Sequence, residues 1–118
     1  FMSKVKTTWP GKVDKERIIK RDKVCIYCGK KMRSGKDVPR TDWATVEHLN
    51  HRSDWDSVGT YLKEGKDVTE IVGMCCWSCN SSRGALPLPE WFEKQYCKDR
   101  NINLETVAPV VRQFVSKL

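Results

Sequence analysis

The chain has 118 residues, enough for one compact domain and too few for two that fold independently. Hydrophobic residues make up 39% and charged residues 31%, so the apolar core is thin and another interaction has to add stability. The sequence has no apolar run near the roughly 20 residues of a membrane span and no secretory leader. We therefore expect a cytoplasmic protein with no signal peptide and no membrane partner.

Positive charge is concentrated in the first third of the chain. Residues 1–40 hold 13 basic and 4 acidic side chains, whereas residues 41–118 hold 9 and 11. Residues 1–11 are predicted to form an irregular basic arm. This distribution favours a polyanionic partner, most often nucleic acid, over the other interpretation, a lysine-rich surface that only keeps the protein in solution.

The first predicted element is a helix over residues 14–22. Asp14 is expected to cap it, and Ile18 and Ile19 are expected to face the core. The following residues 33–42 are rich in charge and contain glycine and proline, which predicts a loop.

The middle of the chain predicts two short strands. Residues 43–47 alternate and include β-branched side chains, so they predict the first strand. Residues 48–57 predict a polar loop, residues 60–66 a single helical turn, and residues 70–74 a short apolar strand. Residues 80–84 are expected either to be open or to form a short helix that begins at Asn80.

The C-terminal part predicts helices. One spans residues 89–99, with proline in its first turn. A second is amphipathic, and Pro109 either lies in its first turn or kinks it. Its apolar positions are Leu104, Val107, Val111, Phe114, Val115 and Leu118.

Six cysteines include two CxxC pairs about fifty residues apart, namely Cys25, Cys28, Cys76 and Cys79. Two thiolate pairs of this spacing complete a tetrahedral zinc site, and disulfides are disfavoured without secretion. Cys75 could replace Cys76 through a CxxxC spacing, but the CxxC turn is the tighter fit. Cys97 is expected to be a small buried hydrophobic residue.

Both histidines, His48 and His51, lie between the two cysteine pairs. Glu47 precedes His48, and a carboxylate beside an imidazole offers an oxygen ligand for Mg²⁺ or Mn²⁺ and a nitrogen base. The other interpretation is a buried, satisfied pair on a zinc scaffold. Among the tryptophans, Trp9 and Trp55 are open to base stacking, whereas the other three are expected to pack in the core and around the cysteines.

Three segments in this order resemble the HNH endonucleases. Residues 16–29 are similar to the lead-in helix ending in Arg-Asp and the first zinc knuckle, residues 45–48 to the Asp/Glu-His motif, and residues 76–84 to the second knuckle and metal helix. The resemblance implies an α+β fold with a small zinc-stapled, treble-clef-like ββα-metal core and flanking helices at both ends. The single domain 1–118 would comprise the arm 1–11, the core 12–88 and the helices 89–118.

The resemblance also implies roles for individual residues. His48 would be the general base, and Glu47 and Asn80 would hold a catalytic Mg²⁺ or Mn²⁺, while helix capping competes for Asn80. The reaction would hydrolyse DNA, expected to be double-stranded, to 5′-phosphate and 3′-hydroxyl ends. Arg83 and Arg52 would contact phosphates, although Arg83 could equally be a solvated charge.

Some positions depart from the family pattern or leave alternatives open. Members often carry an Asn about five residues before the second CxxC, where this chain has Glu70 and Ile71. In the family this Asn ties down the loop, and here Asn50, Asp54, Asp56 or Asp67 could take that role, or one of these carboxylates could be the third ligand of the catalytic metal. His51 is expected to be a second metal ligand, a hydrogen-bond donor to a phosphate or only a loop residue. The other functional hypotheses are a non-catalytic zinc module that binds nucleic acid or a partner protein, and a nuclease subunit active only within a larger complex. The expected assembly is a homodimer or a larger phage-type or restriction-type assembly.

Overall fold

The computed structural model describes residues 11–50, 65 and 67–118, and it shows a small α+β protein. The arm 1–10, most of the predicted loop 48–57 and the predicted turn 60–66 therefore lie outside the described residues. No helix in the described ranges is long and apolar enough to cross a membrane. The α-helices and strands are α1 (Lys12–Arg21), β1 (Ala44–His48), β2 (Val72–Cys76), α2 (Trp77–Arg83), α3 (Leu88–Trp91), α4 (Gln95–Asp99) and α5 (Pro109–Ser116).

The two strands pair antiparallel, with Thr45 opposite Cys75, Val46 opposite Met74 and Glu47 opposite Gly73. Because successive side chains of a strand point to opposite faces, this sheet separates two apolar clusters. Cys75 belongs to the larger cluster, which α2 and the C-terminal helices cover. Val46 and Met74 belong to the smaller cluster around Ile18 of α1.

The larger cluster joins distant parts of the chain. Trp91, Tyr27 and Val111 are each at most 1% exposed in it, and the Trp91 and Tyr27 rings meet edge to face at 4.8 Å. The backbone N–H of Ala108, just before α5, donates a hydrogen bond to the carbonyl of Ile26 at 2.8 Å. The end of the chain thus closes over the first cysteine pair.

Both strands lie slightly further along the chain than predicted. β1 is shifted by one residue, whereas β2 begins two residues late because Val68–Glu70 form a 3₁₀ turn. The side chain of Asp67 caps that turn by accepting the N–H of Thr69 at 3.0 Å. A side-chain cap of this kind competes locally with strand formation.

The first helix begins earlier than predicted, and one of its two isoleucines is exposed. Gly11 occupies the N-cap of α1, so the expected cap at Asp14 is wrong, and Asp14 instead accepts a bond from Arg17 at 2.9 Å. Ile18 is 1% exposed and Ile19 is 48% exposed. Adjacent helical residues point about 100° apart, so one face buries only one of them.

The C-terminal region also differs from the prediction. The expected helix 89–99 is interrupted and forms α3 and α4. Pro109 is the first residue of α5, so the first-turn interpretation is confirmed. Leu104 and Leu118 lie outside that helix and are exposed.

The Arg-Asp pair at the end of α1 ties that helix to β2. Arg21 donates to both carboxylate oxygens of Asp22, at 2.7 and 2.8 Å, and to the carbonyl of Val72 at 2.9 Å. Asp22 in turn accepts the backbone N–H of Met74 at 3.0 Å. The end of α1 and the residues after it lie so close to β2 that position 73 favours glycine. A Cβ there would lie 2.7 Å from Cδ1 of Ile26.

We expect Gly73→Ala to lower the free energy of unfolding by about 1–3 kcal/mol because the new methyl group overpacks the core. Ile26→Val removes the Cδ1 atom that the methyl group meets and should alone cost about 0.5–1.5 kcal/mol. The double variant should therefore be more stable than the sum of the two losses implies, as measured by urea denaturation. Strict additivity would contradict this account of position 73.

Candidate metal centre and adjoining polar site

The two cysteine pairs lie on different local structures. Cys25 and Cys28 lie on a tight turn closed by the bridge between Val24 and Lys31. Gly29 takes a φ of 77° there, a conformation that suits glycine. Cys76 ends β2 and Cys79 lies in the first turn of α2.

The structure brings these four sulfur atoms together, all within 4.8 Å of one another. Sγ of Cys28 and Sγ of Cys76 are 3.9 Å apart, close to the roughly 3.8 Å between sulfurs of a tetrahedral zinc site with Zn–S bonds of about 2.3 Å. The N–H of Tyr27 points at Cys25 Sγ at 3.5 Å, and the N–H of Cys79 at Cys76 Sγ at 3.4 Å. The cluster could therefore hold a structural metal such as zinc.

The hydrogen bond to Cys76 also explains where α2 begins. Cys76 is the N-cap, so the helix starts at Trp77, three residues before the predicted start at Asn80. A cysteine sulfur is an unusual cap, and the sequence rules for caps name serine, threonine, asparagine and aspartate.

Crowding couples the four thiols. Hydrogen bonds from Cys25, Cys76 and Cys79 lower the pKa of Cys28, and those from Cys25 and Cys28 raise the pKa of Cys76. Tyr96 adds a hydroxyl bond to Cys79 Sγ at 3.4 Å, and the Arg100 guanidinium lies 3.6 Å from the centre of the Tyr96 ring. Hydrogen-bond donors to a sulfur favour its thiolate form, which is the form that binds metal.

The two remaining cysteines lie apart from this cluster. Cys75 faces the larger apolar cluster, where Thr45 Oγ1 lies 3.6 Å from its sulfur and burial raises the pKa of its thiol. Cys97 is fully buried in α4, and burial raises its pKa to about 11. Both thus remain protonated thiols at neutral pH.

We expect purified protein to hold one zinc ion per chain, measured by atomic emission. Cys76→Ala removes a ligand and should lose the zinc and much of the cooperative unfolding transition. Cys75→Ala changes the neighbouring buried cysteine and should keep the zinc, which makes it the matched control. Equal zinc loss in both variants would contradict the assignment of Cys76.

Glu47 lies in the interior beside this cluster. Its Oε2 accepts the Tyr27 hydroxyl at 2.6 Å and an Arg83 N–H at 3.1 Å, and the residue is only 4% exposed. Burial raises the pKa of Glu47, while Arg83 and Tyr27 act in the opposite direction. Both bonds use Oε2, so neither occupies Oε1.

Arg83 is a buried connector. Besides Glu47 it donates to the carbonyls of His48, Leu49 and Leu86 at 2.8, 2.9 and 2.8 Å, and it is 3% exposed. This interior position differs from the exposed one that a phosphate contact or a solvated charge requires. A planar guanidinium carries five N–H donors in a rigid fork, which suits several carbonyls at fixed positions.

Asn80 links α2 to the strand that carries Glu47. Its Nδ2 donates to Thr45 Oγ1 at 3.0 Å and to the Val46 carbonyl at 3.2 Å. Thr45 uses its own proton on the Cys75 carbonyl at 2.7 Å, so both partners of Asn80 are acceptors and the amide oxygen Oδ1 is left facing away from them. Since Cys76 caps α2, Asn80 is not the cap.

Strand alternation separates two of the candidate catalytic residues. Glu47 and Thr45 occupy the face of β1 that contacts α2, whereas His48 follows Val46 on the alternate positions. His48 is the last residue of β1 and 5% exposed. The structure thus joins Glu47 and Asn80 at one interface and places His48 at the end of the strand.

Two further candidate residues lie within the described part of the chain. The carboxylate of Asp67 accepts hydrogen bonds from the Thr69 N–H and from Arg17, and Asn50 is buried. The positions outside the described residues are His51, Arg52, Asp54 and Asp56.

The sequence does not predict that Tyr27 and Arg83 are the hydrogen-bond partners of Glu47. Tyr27 lies between two cysteines, where an aromatic residue signals only packing. The interior role of Arg83 had one weak signal, its position on α2 one turn after Asn80, which places both on one helix face.

We expect Arg83→Met to lower the free energy of unfolding by about 3–5 kcal/mol, because Glu47 is left buried without its cation. Adding Glu47→Gln removes that charge and should recover part of the loss. Arg112→Met is the control, since Arg112 also donates to two carbonyls but is exposed, and it should cost less than about 1 kcal/mol. Thermal denaturation of the four proteins would measure this, and equal losses at positions 83 and 112 would refute it.

Comparisons with known proteins add no identification. No family model, curated protein or solved structure matches this chain. The functional interpretation therefore depends on its own residues.

Proposed function

We propose that the protein is a metal-dependent endonuclease of the HNH type, which hydrolyses DNA phosphodiester bonds to 5′-phosphate and 3′-hydroxyl ends. The observation that carries the proposal is that Glu47 and Asn80 both lie at the interface of β1 and α2, where Glu47 bonds to Arg83 and Asn80 bonds to the Val46 carbonyl. Asn80 directly follows the last cysteine of the metal cluster. The order of strand, strand and helix agrees with the ββα arrangement that the resemblance implies.

The donor atoms suit a hard divalent cation. Oε1 of Glu47 and Oδ1 of Asn80 are the oxygens that hydrogen bonds among the described residues leave unused, and Mg²⁺ and Mn²⁺ prefer oxygen ligands. When bound, such an ion would offset charge on the scissile phosphate. Arg83 and Tyr27 hold the carboxylate in one rotamer, which fixes the direction of Oε1.

His48 is the proposed general base. A neutral imidazole can take a proton from the attacking water. His48 follows Glu47 in the sequence and is the last residue of the same strand. The cysteine cluster touches no substrate in this scheme. Its task is to fix the end of β2 against the start of α2, and thereby to position Asn80 against β1.

We expect wild-type protein to nick supercoiled plasmid in Mg²⁺ or Mn²⁺, and we expect His48→Ala to lower the rate at least 100-fold, the usual contribution of a general base. Added imidazole should restore part of the His48→Ala activity, which a merely structural histidine would not allow. Asn80→Ala should also lose activity, whereas Gln113→Ala removes an exposed amide and serves as the control. Zinc content and thermal midpoint show that each variant folds.

Undiminished cleavage by His48→Ala would refute the base assignment. Loss of cleavage that no concentration of imidazole restores, in a variant that has also lost its zinc, would assign His48 to the scaffold instead.

A non-catalytic zinc module that binds nucleic acid is the second candidate function. Two observations favour it: Arg83 already neutralises Glu47 at 3.1 Å, and alternation along β1 separates His48 from Glu47. This candidate requires that DNA binds and that no divalent ion produces cleavage. The plasmid assay across Mg²⁺, Mn²⁺, Ca²⁺ and Co²⁺ therefore decides between the two.

A further inference from the structure

An exposed cation and two tryptophans form a cluster at the beginning of β1. The Arg40 guanidinium lies 5.6 Å from the centre of the Trp43 ring and 5.6 Å from that of Trp77. Trp43 is 36% exposed and Trp77 is half-buried. Both tryptophans were expected to pack in the core or around the cysteines, so the exposure of Trp43 corrects that expectation. We call Arg40, Trp43 and Trp77 the tryptophan patch.

The tryptophan patch is held rigidly. The indole N–H of Trp43 donates to the Val38 carbonyl at 3.2 Å, which fixes the ring orientation. The backbone N–H of Trp77 donates to the Trp43 carbonyl at 2.8 Å. An exposed aromatic ring with little freedom loses little entropy when a ligand stacks on it.

The charge around the tryptophan patch is positive. Residues 30–43 hold five basic and two acidic side chains. Asp42 pairs with Lys30 and Arg33, each at 3.0 Å, whereas Arg40 pairs with no carboxylate of the described residues. Arg40 therefore carries a charge that an external anion can balance.

We propose that the tryptophan patch binds a nucleic-acid strand through an unpaired base, which stacks on Trp43 while Arg40 pairs with an adjacent phosphate. The choice of nucleic acid as the partner rests on the proposed function. A base inside a duplex already stacks on its neighbours and presents only its edges in the grooves, so a ring platform selects unpaired bases. Guanidinium planes beside aromatic rings serve the same stacking.

The distance between the tryptophan patch and Glu47 predicts a feature of the substrate. Trp43 and Glu47 are four residues apart on an extended strand, a separation of about 14 Å. A substrate that occupies both sites carries unpaired nucleotides close to the bond that is cut. The expected DNA substrate therefore has a single-stranded stretch near the bond that is cut.

The test is fluorescence anisotropy in buffer without Mg²⁺ or Mn²⁺, so that no probe is cut. The probes are a labelled dT12 strand, an abasic strand with the same number of phosphates, and a hairpin duplex. Wild-type protein should bind dT12 at least fivefold more tightly than the abasic strand. Trp43→Leu should abolish that preference, since base stacking on an aromatic side chain contributes about 1–3 kcal/mol, or roughly 5-fold to 150-fold.

Arg40→Gln should weaken binding to dT12 and to the abasic strand alike and lower the salt slope by about one. Lys98→Gln makes the same charge change at an exposed residue of α4. It is the control, and we expect it to change the affinity less than twofold. Zinc content and near-ultraviolet circular dichroism monitor folding. If Trp43→Leu fails to fold, quenching of wild-type tryptophan fluorescence by dT12, but not by the abasic strand, provides the same test.

Two results would overturn the proposal. Equal affinity of wild-type protein for dT12 and the abasic strand would show that no base stacks. Displacement of dT12 by polyglutamate at equal charge concentration would show a site for acidic proteins. These outcomes are independent of cleavage, because a protein that shows the base preference and cuts no DNA would refute only the nuclease proposal.

Discussion

The convergence of four cysteine sulfurs is the constraint on which the rest of the structure depends. The first pair lies on a turn near α1 and the second joins β2 to α2, so the cluster fixes two distant chain segments at one point. Metal binding of this kind contributes on the order of 10 kcal/mol in small domains. A metal held by these sulfurs would give a chain that is 39% hydrophobic stability beyond that of its apolar clusters.

The same segments that carry the sulfurs also build the polar site. Tyr27 lies between Cys25 and Cys28 and donates to Glu47, and Arg83 is the last residue of α2, the helix that Cys76 caps. Any movement of the two knuckles relative to each other would therefore displace the partners of Glu47. The cysteine cluster and the proposed catalytic residues therefore lie close together in the sequence.

Features with a local cause could be predicted from the sequence, and those with a tertiary cause could not. Both CxxC turns and the preference for Cys76 over Cys75 follow from spacing. The start of α2 depends on a cysteine cap, and the interior position of Arg83 depends on carbonyls some 35 residues earlier. Trp43 is exposed because a loop carbonyl orients its ring, which composition and periodicity do not encode.

The bond from Ala108 to the Ile26 carbonyl has a consequence for synthesis. Residues 108–111 cover the apolar cluster beside the first knuckle, so they have to leave the ribosome before that cluster can close. Until then the early thiols are reachable by oxidants and by competing metals. The order of translation thus leaves a period in which the nascent chain depends on the reducing capacity of its surroundings.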